Sequence, residues 1–114
     1  MNFIEKLGAF INEDGEKRMI EKEHQKIRRL VEQTDAEGLS LCHYSHDDSD
    51  GWAWGRKDYL ELRLWLNSLG LFSLKDEDGI YIMWAQDENM RSLIRQQNQT
   101  LKAVYRKEYG SYEL

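Results

Sequence analysis

Cys42, His43, His46, Asp47, Asp48 and Asp50 form the densest group of potential metal ligands or catalytic side chains in the chain. Zinc accepts thiolate, imidazole and carboxylate donors at the corners of a tetrahedron. The spacing here matches no such motif, and neighbours on an extended segment point to opposite faces, so Cys42 and His43 do not converge without a bend. Framed as a calcium loop, the segment sets His46, Asp48, Asp50 and Gly51 at positions one, three, five and six. Lys57 then falls where a bidentate glutamate is required. No metal site is expected, and the group reads as an irregular polar loop.

Catalysis fares no better. A cysteine nucleophile needs a base held by a third group, and Cys42 has only sequence neighbours to offer, so it reads as a small core residue. His24 lies on the apolar stripe of a helix and reads as a buried or half-buried imidazole with a backbone partner. No phosphate-cradling glycine loop, nucleophile elbow or zinc-protease motif occurs. The sequence therefore leads us to expect a protein that is not an enzyme and needs no cofactor.

Residues suited to contact are more prominent. Residues 35–55 hold Asp35, Glu37, Asp47, Asp48 and Asp50 without one lysine or arginine, and Trp52 and Trp54 follow the acids directly. An acidic loop steers a basic partner, and tryptophans are the side chains that dominate interface hot spots. Asp47, Asp48, Asp50, Trp52 and Trp54 are thus the candidate partner-binding residues. The alternative is that both tryptophans pack on the core and the acids only keep the loop solvated.

Charge is sorted along the chain. The formal balance is −5, yet residues 16–34 sum to plus two and residues 88–109 to plus three, which leaves about minus ten elsewhere. Arg91, Arg95, Lys102 and Arg106, spaced four, seven and four apart, share one stripe of a helix, as do Arg18, Lys22 and Arg29 of an earlier one. These are either solvated faces or a surface for an anionic partner, and the first stripe is the candidate nucleic-acid-binding site.

The elements that carry these residues follow from periodicity. Phe3, Ile4, Leu7, Phe10 and Ile11 mark one face of a short helix, which residues 12–15 are expected to end or bend. Ile20, His24, Ile27, Val31 and Thr34 mark a second helix over 16–36, closed by Gly38. Residues 39–46 alternate loosely and predict a strand. Between 58 and 70 two signals conflict. Leu60, Leu62, Leu64 and Leu66 alternate as in a strand, whereas Asp58 and Glu61 resemble the N-cap and N3 of a capping box and Gly70 a helix-closing glycine. The absence of β-branched residues favours helix, apolar on nearly every face. Residues 71–75 and 80–85 predict a hairpin around the 76–79 turn. Asp87 caps a last helix that bears Met90, Leu93, Ile94, Gln97, Leu101, Val104, Tyr105 and Glu108 on one stripe and ends before Gly110.

The expected fold is a single α+β domain over 1–114 in the order α-α-β-α-β-β-α, helices at both ends flanking a small antiparallel sheet. That order is like a winged helix, although only one clear helix lies between the first strand and the hairpin. The 114-residue chain has no proline and no apolar run of membrane-spanning length. Its single cysteine and its acidic rather than cationic start lead us to expect a cytoplasmic location. The last helix, roughly 33 Å long at 22 residues, leaves room for a homodimer.

Two functions are consistent with all this. One is a protein-interaction or regulatory module that binds a partner with a basic surface, including an acidic inhibitor of a nucleic-acid-handling protein such as mobile elements encode. The other is a winged-helix-like nucleic-acid-binding regulator, which the apolar helix over 59–69 and the acidic wing oppose.

Overall fold

The computed structural model describes residues 11–45, 55–85 and 87–112. Among them lie three helices and one three-stranded antiparallel sheet, in the order α1 (Ile11–Ala36), β1 (Leu41–Ser45), α2 (Arg56–Ser68), β2 (Phe72–Lys75), β3 (Gly79–Met83) and α3 (Glu88–Tyr109). The sheet order is β1-β3-β2, so the hairpin's second strand is central. This is the α+β arrangement expected, with the winged-helix-like placement of the first strand beside the hairpin. The first predicted helix lies largely outside the described residues.

One boundary differs. The helix end allowed for at residues 12–15 is absent, because α1 is described from Ile11 and continues through Gly15. Glycine in a helix costs only about 1 kcal/mol relative to alanine and keeps both peptide hydrogen bonds, and the chain has no proline to interrupt the ladder.

Both α1 and α2 close in the same way. Gly38 and Gly70 adopt φ of 82° and 80°. The following residues then donate back across the last turn, Leu39 N–H to the Thr34 carbonyl at 3.1 Å and Leu71 N–H to the Leu66 carbonyl at 3.0 Å. A side chain at either glycine would be strained by that left-handed backbone.

The α2 start also differs in detail from expectation. Gly55 is the N-cap and Asp58 is N3, its Oδ2 accepting from the Gly55 N–H at 3.0 Å. The carboxylate works as the back-bonding half of a capping box rather than as its cap, which moves the helix start to Arg56.

The leucine run is helical, and its alternation has a structural cause. Leu60 and Leu64, four apart, pack with Leu101 and Tyr105 of α3. Leu62 and Leu66, also four apart and on the opposite side, join Tyr59 and Trp65 against the sheet residues Cys42, Tyr44, Ile80 and Ile82 and against Ile27 of α1. A helix enclosed on two faces needs two apolar stripes, and two stripes offset by half a turn read as a period of two.

The remaining ties are polar. The buried Tyr44 hydroxyl donates to the carboxylate of Glu23, which is fully enclosed. Trp84 Nε1 donates to Asp35 Oδ1 at 3.0 Å, which fixes the end of α1 to the end of β3. Tyr105 donates to Glu61 Oε1 at 2.7 Å, and burial together with that carboxylate pushes its phenol up to about 12. Asp87 caps α3 as expected, its Oδ1 accepting from Met90 N–H at 2.7 Å.

Candidate interaction surface

Side chains of a sheet alternate between its faces. Cys42, Tyr44, Ser73, Ile80 and Ile82 turn inward and are buried. The outward rows are set by register. Leu41, Met83 and Phe72 stand across the three strands, and so do His43, Tyr81 and Leu74. Leu41, Leu74 and Tyr81 are 51%, 47% and 40% exposed, so the outer face is apolar and aromatic instead of polar.

One polar pair crosses this face. His43 Nε2 lies 3.0 Å from Asp76 Oδ2 and 3.3 Å from Oδ1, and the imidazole meets the Tyr81 ring at 4.5 Å between centroids. Desolvation raises the Asp76 carboxyl, but the His43 hydrogen bond and those from the Gly79 and Asp78 backbones outweigh it. The net effect places Asp76 below the ordinary carboxylate value.

The hairpin turn sits at the same end of the sheet as the start of the acidic segment. Ser45, the last residue of β1, pairs with Gly79, and Asp76 N–H donates to the Gly79 carbonyl at 3.0 Å. Strand approach here is close: a Cβ on Gly79 would stand 2.0 Å from the Tyr44 carbonyl oxygen. The acids of the turn, Asp76, Glu77 and Asp78, are therefore held beside Ser45, the residue that precedes the acidic 46–54 stretch in the sequence. Asp47, Asp48, Asp50, Trp52 and Trp54, like His46, lie outside the described residues.

The cations near α2 are engaged within the fold. Arg56 Nε bonds Glu108 at 2.8 Å, Lys57 stands over the Tyr109 ring at 5.8 Å and Lys75 over Tyr59 at 4.6 Å. Arg63 donates to Ser73 Oγ at 3.0 Å and to the Ser73 carbonyl at 3.2 Å, and burial lowers its guanidinium from the ordinary value. On α3, Arg91, Arg95, Lys102 and Arg106 are exposed as the spacing predicts. Two of the four turn to one acid, since Glu88 accepts from Arg91 at 3.2 Å and from Arg95 at 3.3 Å.

Of two groups weighed as reactive, Cys42 is buried and His24 half-buried. Burial pushes the Cys42 thiol up to about 11, the Thr34 hydroxyl opposing this only in part. His24 stacks on Trp65, with centroids 3.7 Å apart and planes 4° from parallel, and Arg28 covers the same indole at 5.6 Å. Burial and then the Arg28 charge bring His24 down to about 4. Its partner is thus an aromatic face, where a backbone group was expected. Among the described residues, no group of three or more histidine, cysteine, aspartate or glutamate side chains is arranged to hold a metal ion.

The sequence gives no sign of the His43–Asp76 pair, whose members lie 33 residues apart. Only the strand register brings them together. No helix among the described residues is long and apolar enough to cross a membrane. The chain matches no family model, no curated protein and no solved structure.

Proposed function

We propose that this protein acts by binding rather than by catalysis, as a cytoplasmic regulatory module whose acidic pole occupies a basic surface of a partner protein. The observation that carries this reading is the pairing of Ser45 with Gly79, which sets the acids of the 76–78 turn beside the origin of a segment holding Asp47, Asp48 and Asp50. Summed fields of like charge steer association and select a partner of opposite sign. Trp52 and Trp54 supply the anchoring area in this scheme. An inhibitor of a nucleic-acid-handling protein is the special case that this charge pattern suits best, because such a target exposes cations.

Enclosure of α2 also supports the reading. The helix that would enter a groove in a winged-helix complex is buried on two sides, and its neighbouring cations are engaged within the fold. The nucleic-acid alternative rests on the exposed stripe of α3.

The test is capture of a partner from cell extract, with and without nuclease, by the wild type and two charge-reversed variants. Replacement of Asp47, Asp48 and Asp50 by lysine is expected to abolish nuclease-resistant capture, and replacement of Arg91, Arg95, Lys102 and Arg106 by glutamate to leave it intact. The reverse pattern would overturn the proposal.

A further inference from the structure

A cavity of about 270 Å³ lies on the seam between α2 and α3, lined by Leu64, Ser68, Asn98, Lys102 and Tyr112. Leu64 and Ser68 stand four apart on α2, and Asn98 and Lys102 four apart on α3, so each pair shares one side of its helix. Tyr112 arrives from beyond the last helix. Gly110 takes φ of 93° and its N–H donates to the Arg106 carbonyl at 3.1 Å, which ends α3 and turns the chain. Tyr112 then packs back on the cluster of Leu60, Leu64, Leu101 and Tyr105, its ring edge-on to Tyr105 with 5.3 Å between centroids.

The lining has an apolar and a polar half. Leu64, which is buried, and the Tyr112 ring supply the first. Lys102 is exposed and places one positive charge at the rim. Ser68 already donates to the Trp65 carbonyl at 2.5 Å, which leaves Lys102, the Asn98 amide and the Tyr112 hydroxyl as the donors of the lining. Burial, and after it the charge of Glu61, push the Tyr112 phenol up to about 12, so it keeps its proton at neutral pH. Glu61 itself accepts from Tyr105 at 2.7 Å.

Size and charge select the occupant. An apolar cavity of roughly 150 Å³ holds benzene, so the space here admits one ring with a small substituent. A single cation matches a single negative charge, and the chain's net −5 disfavours a ligand of higher negative charge. We propose that this cavity binds a small aromatic carboxylate, its ring against Leu64 and Tyr112 and its carboxylate accepting from Lys102 Nζ and Asn98 Nδ2. None of these residues belongs to the acidic pole, so the partner binding proposed above does not depend on this site. Because Leu64 and Tyr112 belong to the cluster that joins α2 to α3, an occupant stabilises the folded chain.

Amide chemical shifts of the isotope-labelled full chain, followed during titration with benzoate, benzamide and inorganic phosphate, test this. Benzoate is expected to move the amides of Ser68, Asn98, Lys102 and Tyr112 saturably and to raise the unfolding temperature. Benzamide has the same size without the charge and is expected to bind about tenfold more weakly, the order of loss for a hydrogen bond to a charged group. Phosphate, which lacks the ring, is expected to leave those amides in place. Lys102→Met keeps the length of an exposed helical side chain without its charge, and it is expected to bind benzoate and benzamide equally while far-UV circular dichroism stays that of the wild type. Benzamide binding to the wild type as tightly as benzoate would overturn the carboxylate site, and so would a benzoate preference that survives Lys102→Met. Shifts with phosphate equal to those with benzoate, shifts confined to other residues, or no saturable shift with any of the three would overturn it as well.

Discussion

The carboxamide of Gln97 meets the peptide of Ser73 as a neighbouring strand would, accepting from its N–H at 3.2 Å and donating to its carbonyl at 2.7 Å. Asn67 completes the arrangement, its Nδ2 donating to Gln97 Oε1 at 2.9 Å and to the Leu71 carbonyl at 3.0 Å. A single polar residue in the apolar stripe of α3 thus joins that helix to β2 and to α2, and it closes one side of the sheet.

Removing this amide has a calculable consequence. In Gln97→Leu the N–H of Ser73, a fully buried residue, loses its partner, while its carbonyl keeps Arg63. A buried donor left unsatisfied costs about 1–3 kcal/mol. Urea unfolding of the variant should show a loss of that size, with an unchanged dependence on denaturant concentration.

Enclosure of α2 on two faces predicts independence of its leucines. Leu64 belongs to the α3 side and Leu66 to the sheet side. Each change to alanine should cost about 2–5 kcal/mol, the range for buried leucine in a packed interior. Because the two side chains share no cluster, the double variant should lose the sum of the single losses to within about 0.5 kcal/mol. Thermal or urea unfolding of the three variants measures this, and a large coupling would mean that the two sides of the helix are one core.

Glycines 38 and 79 should respond differently to alanine. At Gly38 the added methyl meets open space and only the left-handed backbone resists, so Gly38→Ala should cost about 1 kcal/mol. At Gly79 the Cβ would collide with the Tyr44 carbonyl, and β1 and β3 must part to admit it. A loss above about 2 kcal/mol, or failure to fold, is expected of Gly79→Ala from unfolding curves.

Much of this architecture is visible in residue types, and the exceptions share a cause. Hairpin, caps and the last helix are local, and their signals lie within a few residues. The leucine run misleads because periodicity encodes the number of buried faces as well as the element, and a helix buried twice imitates a strand. Asp58 is identified correctly as a capping residue but assigned the wrong half of the motif, since sequence alone does not say whether Gly55 or Asp58 leaves the helix. Gln97 stands out as an interruption whose reason lies on a different element. His43 and Asp76 belong to one feature only through strand pairing, which no local pattern reveals.

The pH dependence of stability separates two windows. The His24 pKa is lowered to about 4 in the fold, so between the ordinary imidazole value and 4 the unfolded chain binds the extra proton and the folded chain does not. Stability is therefore complete above about 6.5 and declines as pH falls toward 4, by an amount on the order of 1–2 kcal/mol after solvent screening. Asp76 acts lower. Its carboxyl is held below the ordinary value, so its contribution is present above an unfolded value near 3.8 and is lost as pH falls through the folded one. His24→Phe keeps a ring against Trp65 without a titrating group and should flatten the first window alone, whereas Asp76→Asn should flatten the second. Unfolding midpoints from pH 8 to pH 3 decide this.

Salt distinguishes an acidic pole from a phosphate-binding stripe, because the two place their charge on different elements. A protein that neutralises several phosphates loses about a thousandfold or more in affinity between 50 and 200 mM salt. On α3 that outcome is limited from the start, since Glu88 holds Arg91 and Arg95 and leaves Lys102 and Arg106 as the stripe's cations outside those pairs. Glu88→Gln frees both guanidiniums without altering the Asp87 cap. If nucleic acid were the partner, this change should strengthen binding and steepen its salt dependence. For binding through the acidic pole, fluorescence anisotropy with duplex DNA should show no binding in either form while partner affinity stays unchanged. A gain of DNA affinity in Glu88→Gln would transfer the function from the sheet end of the molecule to its last helix.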